Sequence, residues 1–385
     1  MDFDFTSDQE QLRDLVRRWV HKDYSFEHRR ALARAAGAQG IDPTGAWQAL
    51  VGLGLAGLAV PATHGGMDMG PVDAMIVMEE LGRGLVAVPF AAACLMGAGA
   101  LRDHAPAEVQ AAWLPRVAEG QARVVPAFQE QGARHRWQPV ATQATSTGGG
   151  WQLNGVKQLV PVGGDDGVDQ AFVVSARHQG AIDSDSGIGL FLVSASAPGV
   201  TLAPHALQDG SRAAELVLRD APATQLVAEG AAAVSHLIDI GIAALCAEAV
   251  GAMDALLALT VDYLNTRKQF GVTIGSFQAL RHRAADMKMQ LELARSMSYY
   301  ATLKLTAPEP ERRRALSQAK VQLGQSMRLV GQQAIQLHGG IGVTDEYAAA
   351  HYFKRLTCIE LSLGDTLHHL GEVSARMEDS AGVFV

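Results

Sequence analysis

At 385 residues the chain is long enough to bury a large core and to divide into roughly two or three domains. Its 48% hydrophobic and 19% charged residues describe an ordinary soluble globular protein, not a disordered one. A net charge of −8 and a pI near 5.9, without a basic stripe interleaved with aromatics, argue against nucleic acid as a partner.

The chain opens on an acidic, amphipathic stretch, MDFDFTSDQEQLRDLV, which does not read as a secretory signal. Thr6 or Ser7 can cap a helix that puts Leu12, Val16 and Val20 on one face. A second apolar helix is expected around Ala46–Leu53, followed by a glycine-broken loop, VPATHGGMDMG. Further helices are expected at Val72–Leu81, Phe90–Arg102 and Ala107–Ala118. From Ala122 to about Gln225, short β-branched runs alternate with turn signals. Within them Asn154-Gly155, between Trp151–Leu153 and Val156–Val160, predicts a tight hairpin. Long helical periodicities return over Ile242–Leu264, Phe277–Thr306 and Glu311–Leu337.

This order predicts an α+β chain: an all-α N-terminal domain over 1–121, a middle β-barrel or sandwich over 122–226, and a C-terminal four-helix bundle over 227–385. No apolar run of membrane-spanning length is read, and no membrane partner is expected. Cys94, Cys246 and Cys358 are scattered and odd in number, which suits a reducing compartment and offers neither a disulfide framework nor a metal site. A cytoplasmic location follows as the expectation.

Two segments carry chemistry. The first, RKQFGVTIGSFQALRHRAADM, spans Arg267 to Met287. Arg267 offers a planar donor fork suited to a phosphate oxygen, Phe270 can lie under an adenine, and Gly271 lets the backbone turn. Gln278 adds an amide able to bond a nucleotide. A plain helix end accounts for the same residues, with Arg267 and Lys268 complementing the dipole and glycine as cap. The second segment, QLHGGIGVTDEYAAAHYFKR, spans Gln336 to Arg355. Gln336 and His338 stand beside Gly339, Gly340 and Gly342, where bare backbone allows the close amide approach that a pyrophosphate requires. A helix ended by a glycine turn is the alternative for this segment alone, but the pairing of the two segments favours a dinucleotide.

Together these segments resemble the two C-terminal signatures of the acyl-CoA dehydrogenase family, and the helix–β–helix order extends the resemblance over nearly the whole length. The resemblance implies FAD, with residues matching Arg267, Gln269, Phe270, Gln278, Gln336, Gly339 and Gly340 holding its ADP half, partly from a neighbouring subunit. It also implies an acyl-CoA substrate, an electron-transfer flavoprotein as electron acceptor, and a homo-oligomer or a heterotetramer with a large subunit. The phrases ALCAEAVGAM, GQQAIQLHGGIG and HYFKRLT look closest to small subunits of pimeloyl-CoA-type dehydrogenases.

The departures from the family pattern are specific. Dehydrogenation needs a carboxylate to take the α-proton and donors to the thioester carbonyl. In much of the family that carboxylate is a Glu before Gly-Thr; the matching position here is Leu363, in Leu363-Gly364-Asp365. Other relatives carry it on the long helix, where Gly241 stands. Asp365 remains as a displaced base, a ribose or adenine contact, or a helix cap. Asp239 remains as a base or a first-turn carboxylate, and Glu248 as a base or a buried structural partner about two turns, roughly 10 Å, beyond Gly241. The family's Thr-Glu-Pro-Gly-x-Gly-Ser-Asp segment, which lines flavin and substrate, is replaced by Phe128–Arg134. A Trp and a Thr that flank the isoalloxazine match Leu159 and Pro161, and proline has neither N–H nor hydroxyl. His368-His369 cannot both ligate one ion, because neighbours on a helix point about 100° apart. The chain is therefore expected to be an FAD-dependent acyl-CoA dehydrogenase acting as the small subunit of a paired-subunit enzyme. The alternatives are a non-catalytic subunit completing the FAD site of a glutamate-bearing partner and, less favoured, a flavin monooxygenase on the same fold.

Overall fold

Helices come first, then a sheet, then helices again. The computed structural model describes residues 4–164 and 166–377. Contacts divide the chain into two units, one of Met1–Leu32, Pro71–Val86 and Ile242–Val385, the other of Ala33–Gly70 and Ala87–Gly241.

Helix α1 (Ser7–Asp23) begins as its sequence predicts: Thr6 and Gln9 form a reciprocal capping box, and Leu12, Val16 and Val20 are buried. Helix α2 (Phe26–Ala36) escapes sequence reading because it has no apolar stripe; its buried residue is Arg29. Helices α3 (Thr44–Gly52), α4 (Pro71–Arg83), α5 (Ala98–His104) and α6 (Ala107–Ala118) follow. Where one helix was expected over Phe90–Arg102, a π-helical segment at Ala91–Gly97 precedes α5. There Gly97 lies against the sheet: a Cβ on it would stand 1.7 Å from the carbonyl oxygen of Val124.

The sheet comprises β1 (Ala122–Ala127), β2 (Gln143–Thr147), β3 (Gly150–Pro161), β4 (Asp169–Arg177), β5 (Ile188–Ser194), β6 (Val200–Ala206) and β7 (Arg212–Val227). Pairings run β4–β2–β3–β7–β5 and back to β4, closing a small barrel, with β1 added to β4 and β6 to β7. The expected hairpin at Asn154-Gly155 is not formed. Those residues lie inside β3 at a register shift against β7, and the turn sits between Thr147 and Gly150. Asn154 instead exchanges hydrogen bonds with Asp220, and a Cβ on Gly155 would lie 2.5 Å from the Thr142 hydroxyl. The glycine serves close packing at a bulge rather than a turn.

One buried ion pair stands inside the barrel. Lys157 Nζ lies 2.6 Å from Glu130 Oε1 and 3.1 Å from Ser175 Oγ. Glu130 also accepts from the Thr142 hydroxyl and from the amides of Ala141 and Thr142. Burial pushes the Lys157 ammonium down to about 8, and Glu130 draws it back up.

The C-terminal elements are α7 (Ala231–Thr266), a two-strand hairpin β8 (Lys268–Gln269) and β9 (Val272–Thr273), α8 (Gln278–Lys304), α9 (Glu309–His338), α10 (Ala348–Leu361) and α11 (Thr366–Ala375). Helix α7 begins well before the expected Ile242. It is long and apolar enough to cross a membrane, yet 72% of that window is buried, which marks a core helix. It crosses α4 at two glycines: a Cβ on Gly82 would meet the Glu248 carbonyl at 2.0 Å, and one on Gly251 the Glu79 carbonyl at 1.8 Å. Only hydrogen fits between these backbones.

The barrel pair yields a prediction. Glu130→Gln should lower the unfolding free energy by about 3–5 kcal/mol, because it strands a buried ammonium. Adding Lys157→Met should recover part of that loss in urea titrations. A loss below about 1 kcal/mol for Glu130→Gln would place the pair among energetically neutral surface bridges.

Candidate functional site

The two signature segments meet at one end of the C-terminal helices. Tyr263, on the last turn of α7, stacks against His338, the last residue of α9, with ring centroids 4.7 Å apart. Tyr347 completes the cluster, 5.0 Å from His338 and 6.2 Å from Tyr263. His338 therefore faces inward, its Nδ1 2.8 Å from the Ala334 carbonyl, and burial holds its pKa below the ordinary range. It is a spacer between helix ends rather than a ligand contact.

Beyond this cluster the expected ligand-facing residues are turned outward. Arg267, Gln269, Phe270, Gln278, Gln336, Gly339 and Gly340 are all exposed. Phe270 and Gly271 form the β8–β9 turn with φ of 53° and 82°. A positive φ at both central residues matches the hairpin twist but strains a phenylalanine, and such strain collects at functional sites. Phe270 is 90% exposed and meets Phe277 edge-on at 6.2 Å. Gly339 caps α9 at φ 64° and ψ −140°, a region open to glycine. A Cβ on Gly339 or Gly340 would meet nothing within 4 Å, so the backbone there is open to a ligand. A guanidinium, side-chain amides, an aromatic face and bare glycine backbone are the donor set that an ADP moiety requires.

The position that carries a base in much of the family is built just as firmly, but around an aliphatic side chain. Lys320, buried on α9, donates to the carbonyls of Ile359 at 2.7 Å and Glu360 at 3.0 Å, the last turn of α10. Burial pushes its ammonium down to about 8. His369 stands within hydrogen-bonding distance of Ser317 Oγ and of the Leu363 carbonyl, at 3.2 and 3.0 Å. Glu360 accepts from the amide and hydroxyl of Thr366. Leu363 (φ 55°) and Gly364 (φ 106°) turn the chain between these anchors. None of Lys320, Ser317, Glu360 or Thr366 is a candidate from sequence, and His369 is weighed there only as half of a metal-ligand pair. The available signal was a lysine on the buried face of α9, among Ala315, Leu316, Ala319 and Leu323.

The substitute carboxylates are engaged elsewhere. Asp365 caps α11, accepting from the His368 amide at 2.7 Å. Glu248 forms a two-pronged bridge to Arg355, at 2.6 and 2.7 Å. Asp239 is fully buried within α7, well past its first turn. Gly241 is a buried helical position. Among the described residues, no group of three or more His, Cys, Asp or Glu could hold a metal ion.

The stretch that matches the family's flavin-facing wall is tied to the rest of the sheet domain. The Gln129 side-chain amide donates to the Arg134 carbonyl, the Gln129 carbonyl accepts from the Gln158 backbone amide, and Glu130 is held by Lys157 and Thr142. Leu159 protrudes at φ 54° and is 54% exposed, and Pro161 ends β3 opposite Ala213.

Comparison with known proteins agrees with the helix–sheet–helix order. Residues 6–121 match the sequence model of the acyl-CoA dehydrogenase N-terminal domain, and residues 228–377 that of the C-terminal domain. A probable acyl-CoA dehydrogenase of Bacillus subtilis, YngJ, is 28% identical over 379 residues, covering 94% of this chain and 96% of its own. Acyl-CoA dehydrogenase FadE27 of Mycobacterium tuberculosis is 27% identical over 388 residues, covering 99% and 100%. A chain of the ChsE4–ChsE5 complex from Mycobacterium tuberculosis superposes with a TM-score of 0.87 at 26% identity, over 99% of this chain and 100% of that one.

Two outcomes are expected. Arg267→Ala should weaken ADP binding in calorimetry by roughly tenfold or more, since a charge-assisted phosphate contact is worth about 1.5–3 kcal/mol; unchanged affinity removes Arg267 from the site. The second concerns acid. His351 Nε2 lies 3.1 Å from the Asp345 carbonyl, so its Nδ1 accepts from Arg29 Nη1 at 2.8 Å, an arrangement open only to neutral imidazole. Burial holds the His351 pKa low, and burial with the nearby Lys320 charge brings His369 to about 3. As pH falls below about 6.5 the unfolded chain takes up these protons first, so stability is full above that value and declines towards the lower folded values. His351→Gln should flatten the fall in urea midpoint between pH 7 and 5; an unchanged slope would dismiss His351 as a contributor.

Proposed function

The chain belongs to the acyl-CoA dehydrogenase family, and from that premise we propose that it is the base-free small subunit of a two-chain, FAD-dependent acyl-CoA dehydrogenase. The family uses FAD, oxidises CH–CH bonds, and unites an N-terminal helical domain, a middle sheet domain and a C-terminal helical domain, the order observed here. The finer reading rests above all on one observation. Neither usual base position holds a carboxylate: Leu363 occupies one, inside a fully anchored turn, and Gly241 the other.

In this reading Arg267, Gln269, Phe270, Gln278, Gln336, Gly339 and Gly340 hold the ADP half of FAD from outside a glutamate-bearing partner's own domain. Their exposure suits a ligand shared with a neighbouring chain. Bound FAD supplies the acceptor for the hydride equivalent that leaves Cβ of the acyl-CoA. The partner's glutamate takes the α-proton, and reducing equivalents pass to an electron-transfer flavoprotein. This chain's residues bind and orient. Arg267 neutralises phosphate charge, Phe270 covers the base, and the glycine backbone excludes nothing but water. The Phe128–Arg134 loop, with Glu130 committed to Lys157 and Thr142, and Pro161 offer poor support for an isoalloxazine of the chain's own. We place the enzyme in the cytoplasm, as a heterotetramer akin to the paired ChsE4–ChsE5 chains. The resemblance of its phrases to pimeloyl-CoA-type small subunits points to a dicarboxylic, aromatic or steroid-derived acyl group.

Anaerobic titration separates the roles. Acyl-CoA should bleach the flavin band of the complex and leave flavin mixed with this chain alone unbleached. Replacing the partner's glutamate by glutamine should lower the rate by about 10²–10⁴-fold. Bleaching by the isolated chain would sink the division of labour.

A further inference from the structure

We infer that the cavity enclosed by α1, α4 and α8 is a binding site for a small carboxylate that carries one ring or a short branched chain. The inference goes beyond the dehydrogenase reading and uses none of its residues. The cavity holds about 140 Å³. Protein interiors are close-packed, and voids larger than a water molecule are few. An apolar cavity of about 150 Å³ takes up a benzene ring, so a body of that size has room here. Its walls suit one. Phe5, just before α1, and Tyr299 on α8 stand tilted to each other, ring centroids 6.2 Å apart with 50° between their planes. Ile76 of α4, 2% exposed, adds an aliphatic wall. The Arg13 guanidinium lies over the Phe5 ring at 5.6 Å.

Charge selects the head group. Four guanidinium groups line the cavity, Arg13 and Arg17 from α1, Arg83 from α4 and Arg295 from α8, against the two carboxylates of Glu79 and Glu80. Both carboxylates are already committed. Arg17 grips Glu80 through Nε and Nη2 at 3.1 and 2.6 Å, and Arg83 Nε lies 3.3 Å from it. Glu79 accepts from Arg295 Nη1 at 2.5 Å. The other acids of the network, Glu10, Asp14, Asp254 and Glu292, act on these arginines but do not line the cavity. Asp4, next to Phe5 in the chain, is exposed and does not line it either. Glu10 and Glu292 are 42% and 48% exposed, so water screens their charge. The lining itself keeps a positive surplus. Arg13 is the most available donor: it pairs with the half-exposed Glu10, and its Nε has no hydrogen-bond partner among the described residues. Burial holds the Tyr299 phenol above its ordinary pKa, so it stays a neutral hydroxyl able to donate. Burial also raises the Glu79 pKa against the pull of Arg295 and Arg83, the mark of a poorly solvated site. Guanidinium forks above an apolar floor fit a carboxylate. An ammonium would meet four like charges, and a phosphate dianion would crowd Glu79 and Glu80.

The full-length chain tests this with benzoate as the probe. In calorimetry benzoate should bind roughly tenfold or more tightly than benzyl alcohol or benzylamine, which share its ring. Arg13→Gln should weaken benzoate roughly fivefold or more, since it removes a charged donor without touching a buried pair. Tyr299→Ala should weaken it to a similar degree, and Tyr299→Phe, which keeps the ring, should fall between that variant and the natural chain. Arg267→Ala, in the nucleotide segment, should leave benzoate binding unchanged. Binding that survives Arg13→Gln and Tyr299→Ala but is lost in Arg267→Ala would place benzoate elsewhere and overturn the site. Inorganic phosphate held as tightly as benzoate would overturn the carboxylate assignment. No heat of binding at tens of millimolar benzoate would leave the cavity to water and end the proposal.

Discussion

Everything distinctive about the end of the C-terminal helices that carries the two signature segments depends on the contact of Tyr263 with His338. The two signature segments lie far apart in the chain, one after α7 and the other after α9. Stacking the last turns of those helices through two rings, with Tyr347 as the third, fixes where both segments begin. Because His338 is inside, the chain must leave it through glycine, and Gly339 supplies the backbone angles that no other residue adopts comfortably. The residues proposed to hold the nucleotide are thus outward because the spacer is inward. Polar side chains and open backbone are concentrated just beyond a dry aromatic floor.

The turn at Leu363 is organised by another device, a buried ammonium bonded to backbone carbonyls. Lys320 spends its ammonium on two carbonyls at the end of α10, where the helix dipole favours a cation. His369 then holds the next carbonyl of consequence, that of Leu363. Fixing a turn through backbone groups leaves the identity of its side chain unconstrained by the fixing.

Much of the fold was legible in the sequence because its signals are periodic. The capping box at Thr6, the apolar spacing of α1, and the long helices α8 and α9 all follow from local pattern. What escaped was set by tertiary contact. Helix α2 packs through Arg29, not through an apolar stripe, so no periodicity announces it. Asn154-Gly155 has turn chemistry but is consumed by Asp220 and by the approach of Thr142 at a bulge. Helix α7 runs into the sheet unit through residues as apolar as those beyond Ile242, with no cap to mark its start. At the candidate site, the motif residues are proposed from sequence because their types suit a ligand's chemistry. The network of Lys320, Ser317, Glu360 and His369 is not, since each of its members bonds to backbone or to a residue distant in the chain.

The anchoring of the base turn by carbonyls also separates folding from chemistry during descent. Leu363 contributes its carbonyl oxygen, and every residue has one. A carboxylate could be exchanged for a leucine here without loosening α10, α11 or the turn between them. In the proposed two-chain enzyme, where a neighbouring chain would supply the proton acceptor, the anchoring of this turn does not depend on a carboxylate at Leu363. The scaffold of an active site can in this way outlast the residue it was shaped to hold.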